Sequence, residues 1–275
     1  MAGSTFALQT HISNVLQERL DKKVSAIKFA NRMFEGVLSG KGSSVTVEDF
    51  PLVTLSTISD LGADLTAQTI TATPYTITVA QAKGINIKVR DIEKIRAAFE
   101  MESSIIDNVI TANAIEMETH FLSQVNSNVV AGNQLYEGAP ITLASTTIIG
   151  YLDELIVKLA ESNVTADQVV IYLPPAVAGM IRQSDLYRNT ERGVGSVERG
   201  FLMNYAGAEL YETNCGVANY VTAFAKRRPH FIQQLSQIEI NKNPNAVGSL
   251  IVSENYYQAD LVGVSTNAAA RLKFA

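Results

Sequence analysis

The sequence predicts an α+β chain, neither a regular βαβ alternation nor pure strand. Three observations carry this. Period-two alternation of apolar residues is concentrated between positions 45 and 91, a stripe with three- and four-residue steps runs from Ile92 to Val125, and extended patterns return after Pro229.

Residues 1–40 read as mainly helical. Val15, Leu16, Leu20, Val24, Ile27 and Met33 fall near helical spacing. The same stretch is basic, since Arg19, Lys22, Lys23, Lys28 and Arg32 outweigh Glu18 and Asp21. A solvated helix face explains this better than nucleic-acid contact. Two glycines in "LSGKGSS" then break the helix. "SVTVEDF" and "YTITVAQ" alternate as strands, with Val45 and Val47 on one side of the first and Tyr75, Ile77 and Val79 on one side of the second. Pro51, Gly62, Pro74 and many β-branched residues lie between them. No lysine or arginine occurs between Lys41 and Lys83, although Glu48, Asp49, Asp60 and Asp64 do. A lone hairpin is marginally stable in water. No other part of the sequence reads as its cover, which implies an arm that docks on another subunit.

"KGINIKVRD" is a further strand, with Ile85, Ile87 and Val89 on one face. The stripe Ile92, Ile95, Phe99, Ile106, Ile110, Ala114, Met117, Phe121 and Val125 predicts one long helix. At 1.5 Å per residue it would be roughly 50 Å long, which indicates a flat or elongated subunit. Ile148, Ile149, Leu152, Leu155, Ile156 and Leu159 mark a second amphipathic helix. Val169–Leu173 is a strand of the buried type, and Pro175 is placed to start a helix at its first position. A strand around Ala208–Glu212 follows a Gly-rich polar stretch. The tail holds two long strand candidates, "PHFIQQLSQIEINKN" and "GSLIVSENYYQADLVGVS".

The 275 residues are enough for one large domain or two modest ones. No window is apolar enough for a spanning helix and no secretory pattern opens the chain, so a cytoplasmic product without membrane contact is expected. Cys215 is the only cysteine, which suits a reducing compartment. The net charge of −5 argues against a protein built around a basic nucleic-acid surface. His11, His120 and His230 show no ligand spacing. Ser196 follows Gly195 directly, which is the wrong spacing for a nucleophile elbow. Gly193 and Gly195 begin a dinucleotide-type loop that fails at Glu198, and "GVLSGKGS" is too short for a phosphate loop. Glu100/Glu102 and Glu116/Glu118 are two apart on a helix, point to different sides, and read as solvation. No catalytic, cofactor-binding or metal-ligating residue is expected, and the chain reads as a non-enzyme.

The order of elements resembles the major capsid protein of tailed bacteriophages, a fold shared with encapsulin nanocompartments. "TITVAQAKGINIKVRDIEKIRA" resembles the exit from that family's E-loop into its spine helix. "YLDELIVKLAESNVTADQVVIYLPPAVAGMIRQSDLY" resembles the helix, strand, proline turn and helix of its A-domain, and "VGSVERGFLMNYAGAELYETNCG" resembles the later stretch of that domain. The resemblance implies the Hong Kong 97-type fold, divided as an N-terminal arm (1–43), an E-loop hairpin (44–79), a P-domain with the spine helix (80–131), an A-domain (132–225) and return strands to the P-domain (226–275). It implies an icosahedral shell of pentamers and hexamers around a double-stranded DNA phage genome, in a virion made in the host bacterial cytoplasm. A separate scaffolding protein and a portal are the implied partners, and DNA is held without sequence-specific binding. The resemblance allots residues 1–43 to the arm alone, so the scaffold is expected to be a separate protein, to have been removed, or not to be needed. An encapsulin-type compartment and an α+β enzyme using "GVGSVERG" are the alternatives. The hairpin's Phe50, Leu52, Leu55, Ile58 and Leu61 are the expected inter-subunit contacts. Some shells of this family are cross-linked through an E-loop lysine, which this hairpin lacks.

Overall fold

A computed structural model describes residues 24–35, 41–50, 53, 55, 69–90, 101–184, 201–235, 239–242 and 248–275. Two strands, β1 (Ser44–Asp49) and β2 (Thr73–Thr78), pair antiparallel with Val45 opposite Ile77 and Val47 opposite Tyr75. This is the register that the alternation of Val45, Val47, Tyr75 and Ile77 demands. Almost without a break the chain enters β3 (Gln81–Arg90). Helix α1 (Met101–Ser127) follows. Its 27 residues give about 40 Å of rod. The start of the expected helix at Ile92 lies outside the described residues.

The second half begins with β4 (Gln134–Leu135), α2 (Ile148–Glu161), β5 (Val169–Leu173) and α3 (Pro175–Gln183), in which Pro175 occupies the first turn as its missing N–H allows. The strands β6 (Phe201–Tyr205), β7 (Ala208–Glu212) and β8 (Tyr220–Ala225) complete most of a six-stranded mixed sheet. The chain ends with β9 (His230–Leu235), β10 (Glu239–Lys242), β11 (Gly248–Asp260) and β12 (Ala269–Lys273).

Two larger sheets organise the molecule. In one, the 13-residue β11 pairs with β3 along one edge, and with β10 and then β9 along the other. The other runs β4-β12-β8-β5-β7-β6. The tail therefore divides: β9, β10 and β11 join β3, whereas β12 closes the six-stranded sheet between β4 and β8. The run "AAARLKFA" is short and rich in alanine. It forms a strand because Ala269, Ala270 and Leu272 are buried by neighbours far away in sequence.

Both faces of the six-stranded sheet are covered, and β5 shows how. Val170 and Tyr172 point into a core shared with Phe121, Leu122 and Val125 of α1, while Val169, Ile171 and Leu173 point into a second core under α2 and α3. A strand buried on both sides reads as a continuous apolar run, which is what "VVIYL" is. Helix α1 thus lies at the junction of the two sheets, with Phe121 edge-on to both Phe224 of β8 and Phe231 of β9.

The N-terminal segment differs from the helical expectation wherever it is described. Residues 24–35 form a strap with a single 3-10 turn at Ile27–Phe29. Beyond a few local turn bonds its backbone bonds to distant segments: Asn31 N–H donates to Pro229 O (2.7 Å) and Asn31 O accepts from Phe231 N–H (3.0 Å). Val24, Ala26 and Ile27 are buried in the core beside α1. The apolar spacing was real, but tertiary hydrogen bonds outcompeted the local helix.

Candidate functional site

The hairpin is the feature the sequence singled out, and its two ends behave differently. At its base Ile77 and Val79 are fully buried with Ile232, and Phe34, Val45, Val47, Tyr256 and Val262 pack around them. The expectation that the hairpin has no cover within its own chain is therefore wrong for the base, which lies on β9, β11 and the strap. The cover was invisible in the sequence because most of it, Ile232, Tyr256 and Val262, comes from about 150 or more positions away, gathered only by the pairing of β11 with β3 and β9.

Val262 and Gly263 form the seat. Gly263 has φ +62°, and a Cβ built there would stand 2.9 Å from Tyr75 Cε2 and 3.1 Å from Asp49 Cγ. Only glycine fits both the left-handed backbone and the closeness of the hairpin. Replacing Gly263 by Ala should lower stability by about 2 kcal/mol, from backbone strain and displacement of β1 and β2. Thermal melting would show it as a loss of about 5 °C, and protease should cut the hairpin faster than in the wild type. An unchanged melting curve would mean that the hairpin moves aside freely.

Beyond the base the pattern inverts. Phe50 is 61% exposed, Val53 54%, Leu55 92% and Ile70 49%. Of the five expected contact residues, Phe50 and Leu55 stand in solvent, while Leu52, Ile58 and Leu61 lie outside the described residues. Val53 and Ile70 belong to the same apolar surface and were missed, although the absence of cations around them was a usable signal. Several large apolar side chains exposed on one element mark an interaction surface.

A second feature is a buried carboxylate. Glu118 on α1 is only 6% exposed. Its Oε1 accepts the N–H of Ala26 at 3.1 Å and the hydroxyl of Ser25. The reading of Glu116/Glu118 as solvation is thus corrected for Glu118, which fastens the strap to α1. Glu116 stays on the surface, paired with Lys83 at 2.8 Å. Two residues of separation on a helix put the pair about 200° apart, so one carboxylate faces inward and the other outward. Cys215 lies half-buried nearby, and burial together with the charge of Glu118 pushes its thiol up, away from the reactive thiolate.

The third feature is a titratable junction where α1, β9, β11 and the strap meet. Asp260 accepts from Asn128 Nδ2 (2.9 Å) and from the N–H of Leu261 (2.8 Å). His230 carries Phe34 of the strap against its ring, and His120 sits edge-on to Tyr257 at 5.4 Å. His120 Nε2 and His230 Nδ1 are buried without a hydrogen-bond partner. Burial holds both imidazoles below their ordinary pKa against the opposing pull of Asp260, with Glu116 raising His120 and Lys83 lowering it. Burial also raises Asp260.

The sign of the resulting pH dependence follows. Unfolded histidines take up protons as pH falls through about 6.5, whereas the folded ones resist, so the unfolded state binds more protons there. The stabilisation from keeping them neutral is full above that pH and is lost as pH falls through the folded-state values. Asp260 acts oppositely: its contribution is full below the usual carboxylate range and is lost as pH rises through its elevated folded value. Melting temperature should therefore drop between pH 7 and pH 5.5. His230→Gln should flatten the drop; equal slopes for variant and wild type would remove His230 from the cause.

No protein-family model matches the chain, and no curated protein sequence matches it. Solved structures do. A structure from Mycobacterium phage Che8 superposes with TM-score 0.71 at 17% identity, covering 90% of each chain. The capsid of cyanophage P-SCSP1u gives TM-score 0.69 at 12% identity, covering 92% of this chain and 89% of that one. The fold is the Hong Kong 97-type capsid fold. In its terms α1 is the spine helix and the β1–β2 excursion is the E-loop. A virus-like particle from Pyrococcus furiosus shares the capsid fold too, with TM-score 0.60 at 12% identity over 94% of this chain and 96% of that one.

Proposed function

We propose that this chain is a major capsid subunit that assembles with copies of itself into an icosahedral shell around a double-stranded DNA phage genome. The observation that carries this is the E-loop tip: Phe50, Val53, Leu55 and Ile70 are exposed on a chain whose capsid fold otherwise closes two cores of its own. Their burial on a neighbouring subunit supplies the apolar contact that the monomer leaves unmade. Leu52, Ile58 and Leu61 extend the same surface in this reading. The role is structural and not catalytic, the site of action is the virion, and the chain is synthesised in the host cytoplasm. A separate scaffolding protein and a portal complete the set of partners. In this reading the chain divides into an N-terminal arm (1–43), an E-loop hairpin (44–79), a P-domain (80–131), an A-domain (132–225) and return strands to the P-domain (226–275), of which β12 pairs instead within the six-stranded sheet.

Sedimentation across protein and salt concentrations, with negative-stain microscopy, tests the proposal. Pentamers, hexamers or closed shells are expected, and a compact monomer under every condition would refute it. Such shells are held without covalent links. The hairpin offers no lysine between Lys41 and Lys83, Lys83 is engaged by Glu116, and the Cys215 thiol is held protonated. Boiling particles in detergent without reductant should return the protein to a band near 29.8 kDa. A ladder that survives reductant would reveal an isopeptide bond.

A second reading is a compartment shell that holds an enzyme cargo, favoured by the likeness to the archaeal virus-like particle over nearly the whole of both chains. Nucleic acid or a cargo enzyme inside purified particles separates the two.

A further inference from the structure

The turn between β8 and β9 is where the chain leaves the six-stranded sheet for the other one. It reads Lys226-Arg227-Arg228, and it is rigid. Lys226 N–H donates to Gln168 O (2.8 Å), Arg227 N–H to Phe29 O (2.6 Å) and Arg228 N–H to Ala225 O (3.2 Å). These bonds fasten the turn to the strap on one side and to the start of β5 on the other. Both arginines are exposed. Among the described residues, neither guanidinium has an ion-pair or hydrogen-bond partner.

The backbone adds a second, independent observation. Arg227 adopts φ +61°. This left-handed conformation suits glycine or asparagine and is sterically costly for a long side chain. A position that would fold more easily with glycine carries arginine, and nothing among the described residues uses the guanidinium. Strain kept without an internal return points to an external partner.

Two further cations complete the surface. Lys28 of the strap lies over the rings of Phe29 (4.8 Å) and Tyr211 (5.1 Å), and Lys226 lies over Phe29 at 5.6 Å while bonding to Glu209 at 2.7 Å. The aromatic faces are thus capped by amines. A surface that binds single strands leaves such rings open for base stacking; this one presents charge alone. Glu209 neutralises Lys226, while Arg227 and Arg228 keep the turn positive on a chain of net charge −5.

We propose that Arg227 and Arg228, with Lys28 beside them, form a site for the phosphate backbone of double-stranded DNA, bound without regard to sequence. Guanidinium groups on a turn already fixed by its backbone match phosphate oxygens in geometry and lose little freedom on binding. The inference rests on the capsid reading, and it places this face toward the interior of the shell. The basic character of the strap, which as sequence looked like a solvated helix face, gains a use only because the fold joins Lys28 to a turn about 200 residues later.

The test uses the full-length protein and a short labelled DNA duplex, followed by fluorescence anisotropy over a salt series. Two chains are compared: the wild type and the double variant Arg227→Gly with Arg228→Gln. Glycine suits the left-handed backbone, so the variant should melt no lower than the wild type. The wild type should bind the duplex with a logarithmic affinity that falls linearly with the logarithm of salt. In the variant that slope should be shallower by about 1.8, from two lost phosphate contacts at about 0.9 each. Equal slopes, or no duplex binding by the wild type at low salt, would overturn the proposal. So would displacement of the duplex by polyglutamate as effectively as by unlabelled DNA, which would identify an acidic protein as the partner. Microscopy of both chains keeps the two readings apart. Shells that form normally with unchanged slopes defeat the phosphate site and leave the capsid reading standing. A changed slope without particles under any condition defeats the capsid reading alone.

Discussion

A chain in which residues 51–71 are replaced by a short Gly-Ser linker should fold and melt cooperatively but form no particles. The cut leaves β1 and β2, the buried Ile77 and Val79, and the Gly263 seat in place. It removes Val53, Leu55 and Ile70, which are exposed in the monomer and contribute little to its cores. Exposed apolar groups stabilise only what buries them, at roughly 25 cal/mol per Å². Many such contacts repeated around a shell are the proposed driving force, so assembly should be lost while the monomer is spared. Circular dichroism would show unchanged helix content, and sedimentation would show one small species. An aggregated, unfolded product would mean that the tip belongs to the chain's own core. Particles that still form would move the interface elsewhere.

The second large effect is expected at Glu118. In Glu118→Ala, the buried N–H of Ala26 and the hydroxyl of Ser25 lose their shared acceptor. An unsatisfied buried donor costs about 1–3 kcal/mol. Melting should fall by about 5 °C, and the strap at 24–35 should become open to protease. Glu118→Gln keeps an acceptor oxygen in place and should cost less than half as much. An alanine variant as stable as the wild type would mean that the strap is held by Val24 and Ile27 alone. Equal losses in the two variants would assign the effect to charge and not to the acceptor.

Several elements could be read from residues alone because their signals are local. The pairing of Val45 and Val47 with Ile77 and Tyr75 follows from alternation on both strands. The helix at Ile148–Glu161 follows from its stripe, and the start of α3 from Pro175. β5 was legible as a strand covered on both faces because all five of its residues are buried. In each case the side chains that decide the element lie within a few positions of one another.

The candidate sites divide in the same way. The exposed tip was legible, because a long stretch without lysine or arginine and with many β-branched residues is a property of composition. The seat of the hairpin was not, because Gly263 becomes special only when Tyr75 and Asp49 are brought against it. Glu118 looked like any surface carboxylate until Ser25 and Ala26 arrived from the other end of the chain.

By itself, then, the amino-acid order determined the β1–β2 pair, β3, β5, β7, the helices α1, α2 and α3, the apolar tip and the resemblance to a shell-building fold. The tertiary structure alone decided that residues 24–35 are a strap and not a helix, that β12 belongs to the six-stranded sheet, and that the turn at Arg227 is bonded to the strap at Phe29. The physical reason is range. Periodicity records what a residue needs from its own turn or strand, whereas a strap, a closing strand and a shared charged surface are stabilised by partners about 45 to 200 positions distant. Those partners become neighbours only once β11 has paired with β3 and β9, and α1 has settled between the sheets.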